Sequence, residues 1–189
     1  PSGTWILAGD GATVLRSTNG GVTWTASQPE TSLSDIYETT FVNDNVGYFC
    51  TTNGSIMKTT NGGISWTYLP SGTTSALWYL DFHNADTGLA VGASSTILRT
   101  TNGGSTWSPF NLSTSTLLYK VHYVDASTAY LGTASAATGR LMKTTDYGQT
   151  WNNVPGYTGT GTTRGIFFHN ADTGWVTNSS YQIFRTTNG

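Results

Sequence analysis

Side chains suited to acid–base chemistry are few and scattered in this 189-residue sequence. Glutamate occurs twice, as Glu30 and Glu38. Most glycoside hydrolases need two carboxylic acids placed on either side of the scissile bond. Asp86 and Asp172 occupy equivalent turns of an internal repeat, so we interpret them as turn formers. The sequence therefore predicts no catalytic residues and a protein that is not an enzyme.

Metal-binding side chains are equally dispersed. His83 and His169 hold equivalent positions in separate repeats, and His122 falls in a different register. No short cluster of His, Cys and Asp has the spacing of metal ligands. Cys50 is the only cysteine and lies in an apolar run, which indicates a small core side chain. We predict no metal and no cofactor.

A positive charge recurs just before one repeated motif, and five of the eight basic residues are used there. On a closed ring of repeats these side chains would form a belt that binds an anion. Alternatively, their aliphatic stems pack against the fold while the charged heads meet solvent or an aromatic ring. Recurrence in every repeat favours the structural role. The five residues are Arg16, Lys58, Arg99, Lys143 and Arg185.

Three Asn-x-Ser/Thr sequons make Asn53, Asn111 and Asn178 candidates for N-glycosylation. We expect Asn53 and Asn178 to lie in the same exposed inter-strand loop of two repeats. A chain this rich in Asn, Ser and Thr also produces sequons by chance.

These side chains are positioned by a tandem repeat. Its four Trp residues are 42, 41 and 44 residues apart, a period that matches a four-stranded propeller blade. The motif occupies the segments Thr13–Trp24, Ser55–Trp66, Thr96–Trp107, Arg140–Trp151 and Gln182–Gly189.

Each repeat is predicted to form four strands, and no segment has helical periodicity. In the third repeat we predict strands at Leu77–Phe82, Leu89–Gly92, Ile97–Thr100 and Thr106–Ser108, with a tight Asn-Gly hairpin before the last. The fold class is an all-β propeller of about five blades. Its first blade lacks the first strand and its fifth lacks the fourth. The single domain divides into repeats at about 1–30, 31–72, 73–113, 114–157 and 158–189.

The repeated motif resembles the Asp-box, also called the bacterial neuraminidase repeat. The form with Asp runs from Thr144 to Trp151, and Asn replaces the Asp in the other copies. A carboxylate or amide at this place can accept hydrogen bonds from the turn's own backbone. The resemblance implies a structural role for Asn19, Asn61, Asn102, Asp146, Trp24, Trp66, Trp107 and Trp151.

A second recurring element precedes four of the five boxes. It is an apolar strand, an Asn/Asp/Gly turn and a short apolar strand, as in Phe82–Leu89 and Phe168–Trp175. Together the two elements resemble the repeat of the photosystem II stability and assembly factor family, which also occurs in many secreted bacterial proteins. The resemblance covers almost the whole chain and implies a secreted or cell-surface location.

Composition excludes further classes of function. Only 10% of the residues are charged and the net charge is −2, so the chain lacks the basic surface that binds nucleic acid. No apolar stretch is long enough to span a membrane. The sequence starts at Pro1 without a signal peptide, from which we expect a processed or excised portion of a larger protein.

The hypothesis from the sequence is a non-catalytic extracellular propeller that is structural or binds a protein or a glycan. Incomplete terminal blades expose strand edges. We favour simple closure of the ring with modest irregularity at these edges; the other outcomes are completion by residues outside this sequence and head-to-tail self-association. The alternatives are a photosystem assembly chaperone and a sialidase-like glycoside hydrolase. Sialidases need an arginine triad, and three of the five arginines here belong to the repeated basic position.

Overall fold

The computed structural model describes residues 3–27, 29, 34–112, 116–134 and 140–189; the side chain of Asn111 is not described, and Glu30 lies outside these residues. The described chain forms five antiparallel sheets, each built from consecutive strands. The all-β propeller fold predicted from the sequence is confirmed.

The first and last sheets have three strands and the inner sheets have four. The first contains β1 (Trp5–Ala8), β2 (Val14–Ser17) and β3 (Thr25–Ala26). The second contains β4 (Ile36–Phe41), β5 (Gly47–Thr51), β6 (Ile56–Thr59) and β7 (Thr67–Leu69). The third contains β8 (Leu77–Phe82), β9 (Gly88–Gly92), β10 (Thr96–Thr100) and β11 (Ser108–Asn111).

The fourth sheet contains β12 (Leu118–Tyr123), β13 (Ala129–Thr133), β14 (Leu141–Thr144) and β15 (Asn152–Asn153). The fifth contains β16 (Thr163–Phe168), β17 (Gly174–Asn178) and β18 (Ile183–Thr186). Short 3-10 turns occur at Asp10–Ala12 and Ala93–Ser95. No helix among these residues has the length and apolar character that crossing a bilayer requires.

The predicted strands agree with the structure except at the box hairpin. In the third sheet the fourth strand begins at Ser108 and not at Thr106. The box between β10 and β11 is a seven-residue loop, so the prediction of a tight Asn-Gly hairpin is wrong. The loop is longer because the box residues hydrogen-bond to one another inside it.

Both faces of the three middle sheets bury side chains because a neighbouring sheet covers each face. All five residues of β9 are buried, and Ile97 and Leu98 on β10 are buried although they point to opposite faces. Adjacent sheets share these contacts; for example, Trp151 packs with Leu89 of the third sheet and Met142 of the fourth. Cys50 is a buried core side chain, as predicted, and burial raises the pKa of its thiol.

The two terminal sheets are incomplete, as predicted. By strand register, β1 corresponds to the second strand of the other sheets, and β18 is the last strand of the fifth sheet. Their outer faces expose side chains that are covered elsewhere. Ile183 is 74% exposed, whereas the equivalent Ile97 is fully buried.

Candidate functional site on the inner strands

The Asp-box side chains hold their own loops together. In the fourth box, the Asp146 carboxylate accepts hydrogen bonds from the backbone N–H and the hydroxyl of Thr150, at 2.8 and 2.6 Å. These bonds lower the pKa of Asp146 to about 2. In the third box, Asn102 accepts from the Thr106 N–H and donates to the Thr106 hydroxyl. The box is therefore a structural loop.

Replacing Asp146 with Asn should leave the fold intact and remove one source of acid sensitivity. The folded pKa of Asp146 lies below its ordinary value of 3.8, so its stabilisation is present above about pH 4 and lost as the pH falls towards 2. Denaturant unfolding of both proteins between about pH 5 and pH 2 measures how their free energies of unfolding depend on pH. An unchanged pH slope in Asp146→Asn would contradict the assignment.

The four box Trp residues are equivalent in position but unequal in burial. Trp66 and Trp151 are buried, whereas Trp24 and Trp107 are half-buried. Trp24 belongs to the first sheet, whose outer face has no described sheet against it. The expectation of four equally buried Trp residues therefore fails at Trp24 and Trp107.

Two of the repeated basic side chains donate hydrogen bonds to the neighbouring sheet. Arg16 Nε donates to the Gly62 carbonyl at 2.7 Å, and Lys58 Nζ donates to the Gly103 carbonyl at 3.0 Å. Each acceptor lies in the box of the following sheet. Lys58 and Lys143 also lie 5.2 Å from the ring centres of Tyr48 and Tyr130. These contacts support the structural role of the basic positions, with Arg99 near Tyr147 and Arg185 near Trp175 at 6.0 Å.

A triple variant of Lys58, Arg99 and Lys143 to Gln should melt at a lower temperature. Loss of the Lys58–Gly103 hydrogen bond and of three cation–π contacts, totalling about 2 kcal/mol, would reduce Tm by roughly 4–8 °C for a chain of this length. Arg185→Gln is the matched control, because Arg185 is exposed on the outer face of the fifth sheet. A triple variant that melts like the wild type would contradict a structural role.

The glycosylation candidates do not share one loop. Asn53 is exposed in the β5–β6 turn, as expected. Asn178 is buried, and the prediction of an exposed loop residue is wrong there. In register Asn178 corresponds to Thr51, the last residue of β5, and its side-chain oxygen accepts from the N–H groups of Ser180 and Gln182. The side chain of Asn111 lies outside the described residues.

The site that the sequence reasoning missed is the lining of the inner strands. Strands β4, β8, β12 and β16 are the innermost strands of four consecutive sheets and contact one another in that order. His83 and His169 are exposed, but His122 lies on β12 within this lining. A signal was present in the repeat, because the aligned inner strands carry an aromatic or cationic residue at the second position in all four cases.

A β-bulge occurs at the second residue of every inner strand. The register shifts between Ile36 and Glu38, and the same shift recurs in the other three strands. A bulge leaves one residue unpaired and redirects its side chain. We call these four residues the bulge layer: Tyr37, Trp78, Tyr119 and Arg164.

The bulge layer lines an open cavity of about 380 Å³. The rings of Trp78 and Tyr119 are stacked, with centroids 4.9 Å apart and planes 16° apart. The guanidinium carbon of Arg164 lies 4.1 Å from the Tyr119 ring centre. Tyr37 is 59% exposed. Trp78 and Tyr119 are half-buried, and Arg164 is exposed. Aromatic rings beside a cation in an open cavity are typical of a binding surface.

Below the bulge layer, a polar chain crosses three inner strands. The Lys120 ammonium donates to the Tyr79 hydroxyl, which hydrogen-bonds to the Glu38 carboxylate. Burial raises the pKa of Glu38, and the Lys120 charge opposes that rise. Burial also lowers the pKa of Lys120. This chain joins three separate sheets through the residues that directly follow Tyr37, Trp78 and Tyr119 in the sequence.

Asp81 and His122 link the fourth sheet to the third and fifth sheets by hydrogen bonds. Asp81 accepts from the Tyr123 backbone N–H at 2.8 Å and lies 3.4 Å from His122 Nδ1. His122 Nε2 accepts from the Phe168 N–H at 3.2 Å. These two side chains satisfy backbone groups of the next inner strand, so their role is structural.

A larger cavity of about 430 Å³ lies between the fourth and fifth sheets. It is lined by Tyr130, Leu141 and Phe168, which correspond to residues that contact a box Trp at the other junctions. These three residues belong to the buried cluster between the fourth and fifth sheets. Among the described residues, no group of His, Cys, Asp and Glu has metal-site geometry.

Comparison with known proteins agrees with the fold. The family model for photosynthesis system II assembly factor YCF48 matches residues 59–189. Its solved counterpart, YCF48 from Cyanidioschyzon merolae, is 17% identical with a TM-score of 0.51, covering 93% of this chain and 76% of that one. No curated protein is similar enough in sequence to count as a relative.

Enzymes share the same fold. The GH74 xyloglucanase from Xanthomonas campestris is 14% identical with a TM-score of 0.78; the match covers 99% of this chain and 35% of the enzyme. A virginiamycin B lyase from Staphylococcus aureus is 17% identical with a TM-score of 0.71, covering 98% of this chain and 66% of the lyase. This chain therefore spans about a third of the xyloglucanase. An assembly factor, a hydrolase and a lyase share the architecture, so the fold alone does not assign a function.

Proposed function

Because this chain belongs to the photosynthesis system II assembly factor YCF48 family, we propose that it is a non-catalytic binding module. In this proposal the bulge layer holds a segment of a partner protein, and the five sheets are the scaffold that positions it. The observation that carries the proposal is the row of aromatic and cationic side chains at four equivalent bulges, which line one open cavity. Bulges are common where a side chain must be redirected for function.

Two features support a binding role over glycoside hydrolysis. Asp81 is engaged by the N–H groups of Phe82 and Tyr123 and by His122. Glu38 is tied to Tyr79 and attracted by Lys120. A hydrolase needs one carboxyl group free to protonate the leaving oxygen and a second free to act on water or the sugar. Both carboxylates of the inner lining instead serve the fold.

The proposal includes a secreted or cell-surface location. The low content of charged residues and the many Ser, Thr and Asn residues support it. A photosystem subunit, as the family description implies, is the alternative partner. Head-to-tail association through the exposed faces of the terminal sheets is a further alternative for a structural protein.

Selection from a displayed library of random peptides tests the binding role. The wild-type protein should enrich peptides that lose binding to a Trp78→Ser/Arg164→Ser variant. Tyr68→Ser is the matched control, because Tyr68 is an exposed aromatic residue on the outer strand β7. Enriched peptides that bind the double variant equally well, or no enrichment at all, would refute the proposal. Turnover of xyloglucan or a fluorogenic sialoside would refute its non-catalytic part.

A further inference from the structure

The stack of the bulge layer is interrupted at one place. Trp78, Tyr119 and Arg164 form a continuous series of stacked groups on β8, β12 and β16. Tyr37 belongs to β4, the inner strand beside β8, and makes no ring contact with any described residue. Tyr37 and Trp78 nevertheless line the same cavity. Because Tyr37 is 59% exposed, its ring is accessible to an incoming aromatic side chain in this cavity.

The other end of the series carries an unpaired charge. Arg164 is exposed, and the ion pair within the described residues joins His122 to Asp81 instead. The Tyr119 ring covers one face of the Arg164 guanidinium and so holds the group in place. The N–H donors of the guanidinium lie in its own plane, so this stacking leaves them accessible. A guanidinium binds a carboxylate through two parallel hydrogen bonds. Of the four residues that line the cavity, Arg164 is the charged one, so the lining is positively charged.

The size of the cavity limits what can enter. A volume of about 380 Å³ is at the small end of ligand pockets. It admits a few side chains of an extended segment but not a folded domain. A pair of stacked aromatic rings is more stable than burial of each ring alone would give. Aromatic residues also often contribute most of the binding energy of an interface.

We infer that the bulge layer recognises an extended acidic segment in which an aromatic side chain lies close to an Asp or Glu. The aromatic ring stacks against Tyr37 on the Trp78 side of the cavity, and the carboxylate binds Arg164. This inference rests on the proposed function and specifies its partner by chemistry. Acidic sugars present a ring and a carboxylate as well, so an oligosaccharide serves as the competing probe.

The probes are N-acetylated, C-amidated peptides containing Trp and Glu separated by none to three glycines, with counterparts carrying Gln for Glu or Ala for Trp. Binding is followed by NMR shifts of the labelled protein and by calorimetry. One spacing should bind at least tenfold more tightly than its Gln and Ala counterparts. Arg164→Gln should lose that preference for Glu and still bind the Gln peptide like the wild type. Trp78→Ala and Tyr37→Ala should lose the preference for Trp.

The matched controls are Arg185→Gln and Tyr68→Ala, which remove an exposed cation and an exposed ring elsewhere. The inference is overturned if no spacing binds at millimolar concentration, or if Arg164→Gln keeps the preference for Glu. Tighter binding of tri-galacturonic acid than of any peptide would overturn the protein partner. Library peptides that need Trp78 but contain no acidic residue would overturn the inference and leave the proposed function standing.

Discussion

Trp66→Ala should lower the free energy of unfolding by about 3–5 kcal/mol, the usual cost of truncating a large buried aromatic residue. Trp66 is 4% exposed and lies between the first and second sheets. Its ring centre is 4.7 Å from that of Phe49, and it contacts Val14 across the junction. The substitution removes contacts with both sheets. It leaves a cavity between them that backbone relaxation would fill only in part.

Trp24→Ala is the matched control for this prediction. Trp24 holds the equivalent box position but is half-buried, because the outer face of the first sheet has no described neighbour. Its replacement should cost less than half as much. Guanidinium unfolding of both variants measures the difference. Equal losses would mean that the box Trp acts only within its own hairpin and not between sheets.

Lys120→Met should cost about 1–3 kcal/mol of unfolding free energy, because it leaves the Glu38 carboxylate partly buried without its cation. The figure is below that for a fully buried pair because solvent reaches both side chains. The double variant Glu38→Gln/Lys120→Met should recover part of the loss. A double variant that is as unstable as the sum of the single changes would show that the two groups do not interact.

The loss in Lys120→Met should depend on pH. Burial already raises the pKa of Glu38 and Lys120 opposes the rise, so removing Lys120 raises that pKa further. A carboxyl group with a raised folded pKa favours the folded state when protonated, and this contribution is lost as the pH rises through the folded pKa. The deficit of Lys120→Met should therefore be largest at neutral pH and shrink on acidification. Unfolding curves at several pH values, with Glu38→Gln as the insensitive reference, measure it.

The periodicity of the sequence was sufficient to predict the architecture, because each repeat carries the same local signals for its strands and loops. The recurring Trp, Gly and Asn residues predicted the number of sheets and the structural loops. Local hydrogen bonds around Asp146 and Asn102 follow from residue types within a few positions of each other. Terminal sheets with three strands were predicted for the same reason.

The candidate site could not be predicted in this way, because its residues are about forty positions apart and meet only across sheets. Tyr37, Trp78 and Tyr119 are neighbours because inner strands pack side by side, and they face the cavity because each strand bulges at that residue. Likewise, Asn178 is buried because its place in the sheet is that of Thr51, two residues before Asn53. The sequence alone determined the repeated blade, since its signals are local. Tertiary structure decided the site, because the repeat shows that these residues are equivalent but only the bulges and the packing of the inner strands bring them to one cavity.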